Sequence, residues 1–79
     1  MKVRVQLYGT LSRRVAGYRH AQGIEIELPE GATVNELLAL LKISESQRAV
    51  VTIDGRIQKA GDKISGGVHA RVFQSVHGG

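Results

Sequence analysis

The sequence predicts a single α+β domain in which a mixed sheet of four to five strands packs on one main helix. Three observations carry that expectation. Apolar and polar residues alternate in separate stretches near both ends of the chain, as in strands buried on one face. A helix start signal at Thr33 opens an apolar stripe of helical period. Between the helix and the last strand, Asp54-Gly55 forms a tight-turn dipeptide flanked by β-rich residues.

The elements follow in order. Val3, Val5 and Leu7 alternate with polar or amphipathic neighbours, which predicts a strand over residues 2–8. Gly9-Thr10 breaks that pattern, and Leu11-Ser12-Arg13-Arg14-Val15-Ala16 can form a turn or two of helix before Gly17. Ile24-Glu25-Ile26-Glu27-Leu28 alternates again and stops at Pro29, with Glu30-Gly31 completing a turn signal. Together with the first strand it predicts an N-terminal hairpin with a long connection. Thr33-Val34-Asn35-Glu36 has capping-box spacing, and Val34, Leu37, Leu38 and Leu41 then recur at i, i+3, i+4 and i+7, giving a helix that ends near Lys42. Val50-Val51-Thr52-Ile53, Asp54-Gly55 and Arg56-Ile57 read as a short hairpin. After a break at Gly66-Gly67, Val68, Ala70 and Val72 alternate with His69, Arg71 and Phe73 as the last strand. The order is β-β-α-β-β, and the helix stripe and the strand faces must cover one another.

At 79 residues and 42% hydrophobic content, the chain is one domain with a modest core. It has no cysteine, so neither disulfides nor a cysteine zinc site can staple it, and any sulfur chemistry must use a group other than a thiol side chain. No apolar run is long enough to span a bilayer, and Met1-Lys2-Val3 leads directly into a strand pattern, so the expectation is a soluble, unprocessed, cytoplasmic protein without membrane contact. The formal net charge is +4, with the basic residues scattered; acidic partner surfaces are favoured, and the attraction should weaken with salt. His20, His69 and His77 lack metal-ligand spacing, so no metal site is expected. Neither G-x-x-x-x-G-K-[ST] nor G-x-G-x-x-G occurs, so the chain is not expected to bind ATP itself.

The remaining feature is the end, Val76-His77-Gly78-Gly79. Two glycines leave a slim peptide that can pass through backbone conformations closed to other residues and be threaded into a narrow site. A disordered chain end is the simpler explanation of the same residues. An α-carboxyl ordinarily titrates near about 3.5, so a carboxylate on Gly79 is ionised at neutral pH and available as an oxygen nucleophile. The five residues from Ser75 to Gly79, if extended, reach about 16 Å beyond the fold. The division expected is therefore a domain over 1–74 and a flexible tail over 75–79. If Val68, Ala70 and Val72 face the helix, alternation turns Phe73 and Arg71 to the other face of the sheet, where an aromatic and a cation beside the tail suit partner contact; packing of Phe73 under a loop is the alternative. Tyr8 and Tyr18 read as strand and loop packing residues. His77 reads as a solvated tail residue rather than a catalytic one.

Taken together, Val5-Gln6-Leu7-Tyr8-Gly9-Thr10-Leu11, Leu28-Pro29-Glu30-Gly31-Ala32-Thr33-Val34, Asn35-Glu36-Leu37-Leu38, Ile53-Asp54-Gly55-Arg56 and Val72-Phe73-Gln74-Ser75-Val76-His77-Gly78-Gly79 resemble the ubiquitin-like β-grasp sulfur carriers. The small subunit of molybdopterin synthase is the nearest type, with the thiamine sulfur carrier a close relative. Gly67-Val68 and Phe73-Gln74-Ser75-Val76 stand where the molybdopterin type usually has Gly-Asp and Phe-Pro-Pro-Val. The resemblance implies that an E1-like adenylating enzyme, using ATP and magnesium, converts the Gly79 carboxylate to an acyl-adenylate and then a thiocarboxylate. Gly78 would allow threading, and Phe73, Arg71, Val76 and His77 would meet the partner. A sulfur-acceptor synthase, either a molybdopterin synthase large subunit or a thiazole synthase, would follow. On this reading the chain is a protein co-substrate or small subunit rather than an enzyme by itself.

Two other functions fit the same residues. A ubiquitin-like modifier would be joined to target lysines through Gly79, beginning from the same adenylate. A β-grasp binding module would use its sheet or its charge, but aromatics are few and no basic stripe or RNA-binding signature marks a nucleic-acid partner.

Overall fold

The structure is a computed structural model, and it describes residues 1–15, 18–19, 21–44 and 48–74. The elements are β1 (Lys2–Leu7), a 3-10 turn (Gly9–Arg14), β2 (Ile24–Glu27), α1 (Val34–Leu40), β3 (Ala49–Ile53), β4 (Arg56–Gln58) and β5 (His69–Gln74). The expected α+β class is present, with five strands in one mixed sheet; the order is β-β-α-β-β-β, one strand more than β-β-α-β-β, because the Asp54-Gly55 hairpin supplies two strands before the last. Helical residues after Gly9 were expected from Leu11; they form a 3-10 turn that starts at Gly9 itself, whose φ of 62° swings the chain out of β1.

The sheet order is β2-β1-β5-β3-β4. Neighbours are antiparallel except β1 and β5, which run parallel with Val5 opposite Ala70 and Leu7 opposite Val72. The first and last strands thus lie side by side in the middle of the sheet, a placement that local alternation cannot reveal.

Alternation sets the core. Val3, Val5 and Leu7 of β1, Val51 of β3, and Ala70 and Val72 of β5 form one buried cluster with Val34 and Leu37 from the helix and Leu41 at its C-cap. Leu11, Leu28, Ala32, Ile43 and Ile64 complete it from the connections. Leu38, the fourth residue of the expected stripe, is only partly buried against the cluster.

The helix begins as its spacing predicts. Glu36 N–H donates to Thr33 Oγ1 at 3.3 Å, and Thr33 N–H donates to Glu36 Oε1 at 3.2 Å, so two amides without helical partners are satisfied reciprocally. It stops at Leu40, before the expected Lys42. Lys42 is left-handed, with φ 59°; its N–H bonds Ala39 O and the next N–H, from Ile43, reaches back to Leu38 O. This is a capping turn that closes the last carbonyls while Ile43 enters the core.

Two glycines are required by their surroundings. Asp54 and Gly55 both have positive φ, 53° and 79°, the conformation of a two-residue hairpin turn that matches strand twist. Gly23 has φ 68°, and a Cβ there would lie 2.8 Å from Val5 O, so the chain entering β2 can approach β1 only without a side chain.

Candidate functional site: the outer sheet face at the end of β5

Because Ala70 and Val72 are fully buried toward the helix, strand geometry turns His69, Arg71 and Phe73 to the opposite face. Register then places their neighbours. Phe73 lies opposite Val50, and Arg71 lies between Gln6 on β1 and Thr52 on β3. Two candidates read from the sequence, Arg71 and Phe73, are therefore brought together two residues apart on one surface, and both are half-buried.

Phe73 does not pack under a loop. Its ring stacks on Tyr8, with centroids 4.4 Å apart and planes inclined by 18°. Tyr8 reaches that position by continuing the outward parity of Gln6 one residue past β1, while its N–H donates to Val72 O at 3.0 Å. Offset ring pairs of this kind contribute about 0.5–1.5 kcal/mol beyond the area they bury. Tyr8 is thus a stacking partner within the chain. Tyr18 is a packing residue, as expected, and its hydroxyl accepts from Leu7 N–H at 2.7 Å and donates to Leu7 O at 3.3 Å.

Tyr8, Phe73 and Val50 give this face an apolar strip. Ile57 stands opposite Thr52 on β4 and is 73% exposed, although isoleucine is usually buried. Sequence reasoning did not single out Val50 or Ile57. The available signal was parity across the Asp54-Gly55 turn, because residues paired across a hairpin share a face.

Charge on the face is uneven. Around β2, Lys2 and Arg4 lie opposite Glu27 and Glu25, with Lys2 Nζ 3.9 Å from a Glu25 carboxylate oxygen. Arg4 also donates to Gln22 O at 3.0 Å. The register neighbours of Arg71, Gln6 and Thr52, are uncharged. His69, opposite Arg4, has a buried Nε2 with no hydrogen-bond partner among the described residues.

Val76, His77, Gly78 and Gly79, the other candidates, lie outside the described residues, as does His20. Among the described residues no group of three or more His, Cys, Asp or Glu could hold a metal ion. No described helix is long and apolar enough to cross a membrane. The face presents an apolar strip with a cation at its side, on the strand that precedes the terminal residues in the sequence.

Comparison with known proteins adds to this geometry. The profile of the ThiS family matches residues 5–79, which takes in the face and the terminal Gly-Gly alike. A Pyrococcus furiosus protein described as molybdopterin converting factor, subunit 1, superposes with a TM-score of 0.71 at 28% identity, over 96% of this chain and 99% of that one. Small archaeal modifier protein 1 of Haloferax volcanii gives a TM-score of 0.73 at 20% identity, over 95% and 98%. A ubiquitin of Caldiarchaeum subterraneum gives 0.62 at 20% identity, over 100% and 98%. The last two likenesses are of fold, the ubiquitin-like β-grasp. No curated protein matches the sequence.

Proposed function

The chain belongs to the ThiS family, and on that premise we propose that it is a sulfur-carrier protein that works through the carboxylate of Gly79. An activating enzyme supplies ATP and magnesium. A carboxylate oxygen of Gly79 attacks the α-phosphorus, pyrophosphate leaves, and the acyl-adenylate carries AMP as its leaving group. Hydrosulfide then displaces AMP at the carbonyl carbon and leaves a thiocarboxylate. Transfer of that sulfur to an acceptor, with water restoring the oxygen, returns the carboxylate.

The single observation that carries this reading is a family match that continues unbroken to Gly79. The chain's own part is physical. A carboxylate carbon is a poor electrophile until one oxygen becomes a leaving group, and the sequence holds no phosphate-binding glycine loop to make it one. Activation therefore belongs to a partner, and the chain contributes a docking face and a tail. We assign docking to Phe73 and Arg71, with Val76 and His77 following along the tail and Gly78 threading it. The likeness to a molybdopterin converting factor subunit at 28% identity supports a molybdopterin-type acceptor synthase as the second partner.

Deleting Gly79 is expected to leave the fold intact and abolish AMP formation by the cognate activating enzyme; equal AMP formation by deleted and full-length chains would overturn the proposal. Intact-mass measurement of the protein from its host separates the carrier from a modifier. A single oxygen-for-sulfur replacement supports the carrier. Branched adducts through Gly79 support conjugation.

A further inference from the structure

The pairing of β1 with β5 ends at Leu7 opposite Val72, closed by the bond from Tyr8 N–H to Val72 O. There Gly9 turns the chain away into the 3-10 turn. The last two residues of β5, Phe73 and Gln74, consequently have a strand neighbour on one side only, where they face Val50 and Ala49 of β3. On the vacated side, among the described residues, side-chain contacts to Tyr8 and Thr10 stand in place of the ladder. Tyr8 stacks on Phe73, and Thr10 Oγ1 donates a 2.5 Å hydrogen bond to Gln74 Oε1. Their origin is held firmly, since Leu11 is fully buried in the core and Ser12 Oγ donates to Gly9 O at 2.8 Å.

We propose that Tyr8 and Thr10 are positioning residues, which clamp Phe73 and Gln74 in the strand and so fix the end of β5 that precedes residues 75–79 in the sequence. The role rests on the sulfur-carrier reading, because only a terminus that must enter a partner's site needs a fixed departure point. Five residues follow Gln74 in the sequence and seven follow Val72, so release of Phe73 and Gln74 adds two residues to the segment between the held strand and Gly79. The effective concentration of a tethered end falls roughly as the −3/2 power of tether length, so that change alone lowers it about 1.7-fold. Release also frees the direction of departure and pulls Phe73 out of the docking face. Thr10 and Gln74 are both exposed, so their bond competes with water and acts together with the stack.

The test uses the full chain with Thr10→Val, Gln74→Ala, their combination, Tyr8→Leu, and Thr10→Ser as the variant that keeps the hydroxyl. Amide hydrogen exchange at Phe73, whose backbone faces Val50 of β3, reads the clamp, and steady-state AMP formation with the activating enzyme reads its purpose. Thr10→Val, Gln74→Ala and Tyr8→Leu are expected to exchange faster at the Phe73 amide while β1 exchange is unchanged. KM for the carrier should rise about twofold or more, with a smaller change in kcat, and Thr10→Ser should restore both. The Thr10→Val/Gln74→Ala pair should be no worse than either single change, because both remove one bond. Unchanged exchange at Phe73, additive effects in the pair, or faster exchange with unaltered KM would each overturn the proposal. A wild-type chain that is never adenylated would instead overturn the sulfur-carrier reading, and the positioning role with it, a result distinguishable because the exchange data still show whether the clamp exists.

Discussion

Leu7 lies where β1 has run past its antiparallel partner, since the last β1–β2 pair is Val5 with Ile24. The Tyr18 hydroxyl supplies what a strand would have supplied, bonding both the N–H and the carbonyl of Leu7. Removing it leaves a partly buried amide without that acceptor, which typically costs about 1–3 kcal/mol. Tyr18→Phe is therefore expected to lower stability by about that amount, measured by urea unfolding, although the change adds no bulk. Gly23 makes the opposite case, where a single methyl is too much. Gly23→Ala meets Val5 O at 2.8 Å and must hold φ 68°, so it is expected to destabilise by at least about 1 kcal/mol. Neither role was legible in the sequence: Tyr18 reads as a generic loop aromatic, and Gly23 as one glycine among ten.

At the level of elements, legibility follows the range of the forces. The helix start could be read from four consecutive residues because the capping box is a local exchange of bonds, and Thr33 and Glu36 make it. Strand faces could be read by parity, which correctly set Arg71 and Phe73 on the face away from Ala70 and Val72. The helix end could not, because its signal is usually a glycine and Lys42 occupies the left-handed position instead. Lys42→Gly should relieve that backbone cost, about 1 kcal/mol or less after the greater freedom of glycine in the unfolded chain is counted. A raised midpoint of thermal unfolding would check it. The Tyr8–Phe73 stack was also hidden, because it joins residues 65 positions apart through the parallel pairing of β1 and β5, a non-local choice. Of the candidate site, then, its strand and face were legible, whereas its second ring was not.

For the molecule as a whole, the net charge of +4 bears on encounter rather than on fold. If an acidic surface of the activating enzyme receives the face around Arg71, KM for the carrier should rise with ionic strength while kcat stays nearly constant, as exposed charges are screened beyond about 8–10 Å at physiological salt. Kinetics measured across a salt series would show it, and an Arg71→Gln chain should respond to salt less steeply. The sheet order has a further consequence, for the time course of synthesis. β2-β1 and β3-β4 are each hairpins that can pair as soon as they are made, yet β5 alone joins them into one sheet. Isolated two-stranded hairpins are at best marginally stable in water. A nascent chain therefore has no closed core until its last strand has left the ribosome, and folding must wait for contacts of the longest sequence separation, which are slow to form. The strand that precedes Gly78-Gly79 in the sequence is also the one that completes the sheet, so a chain cut short before β5 would lack both the terminal residues and a closed sheet.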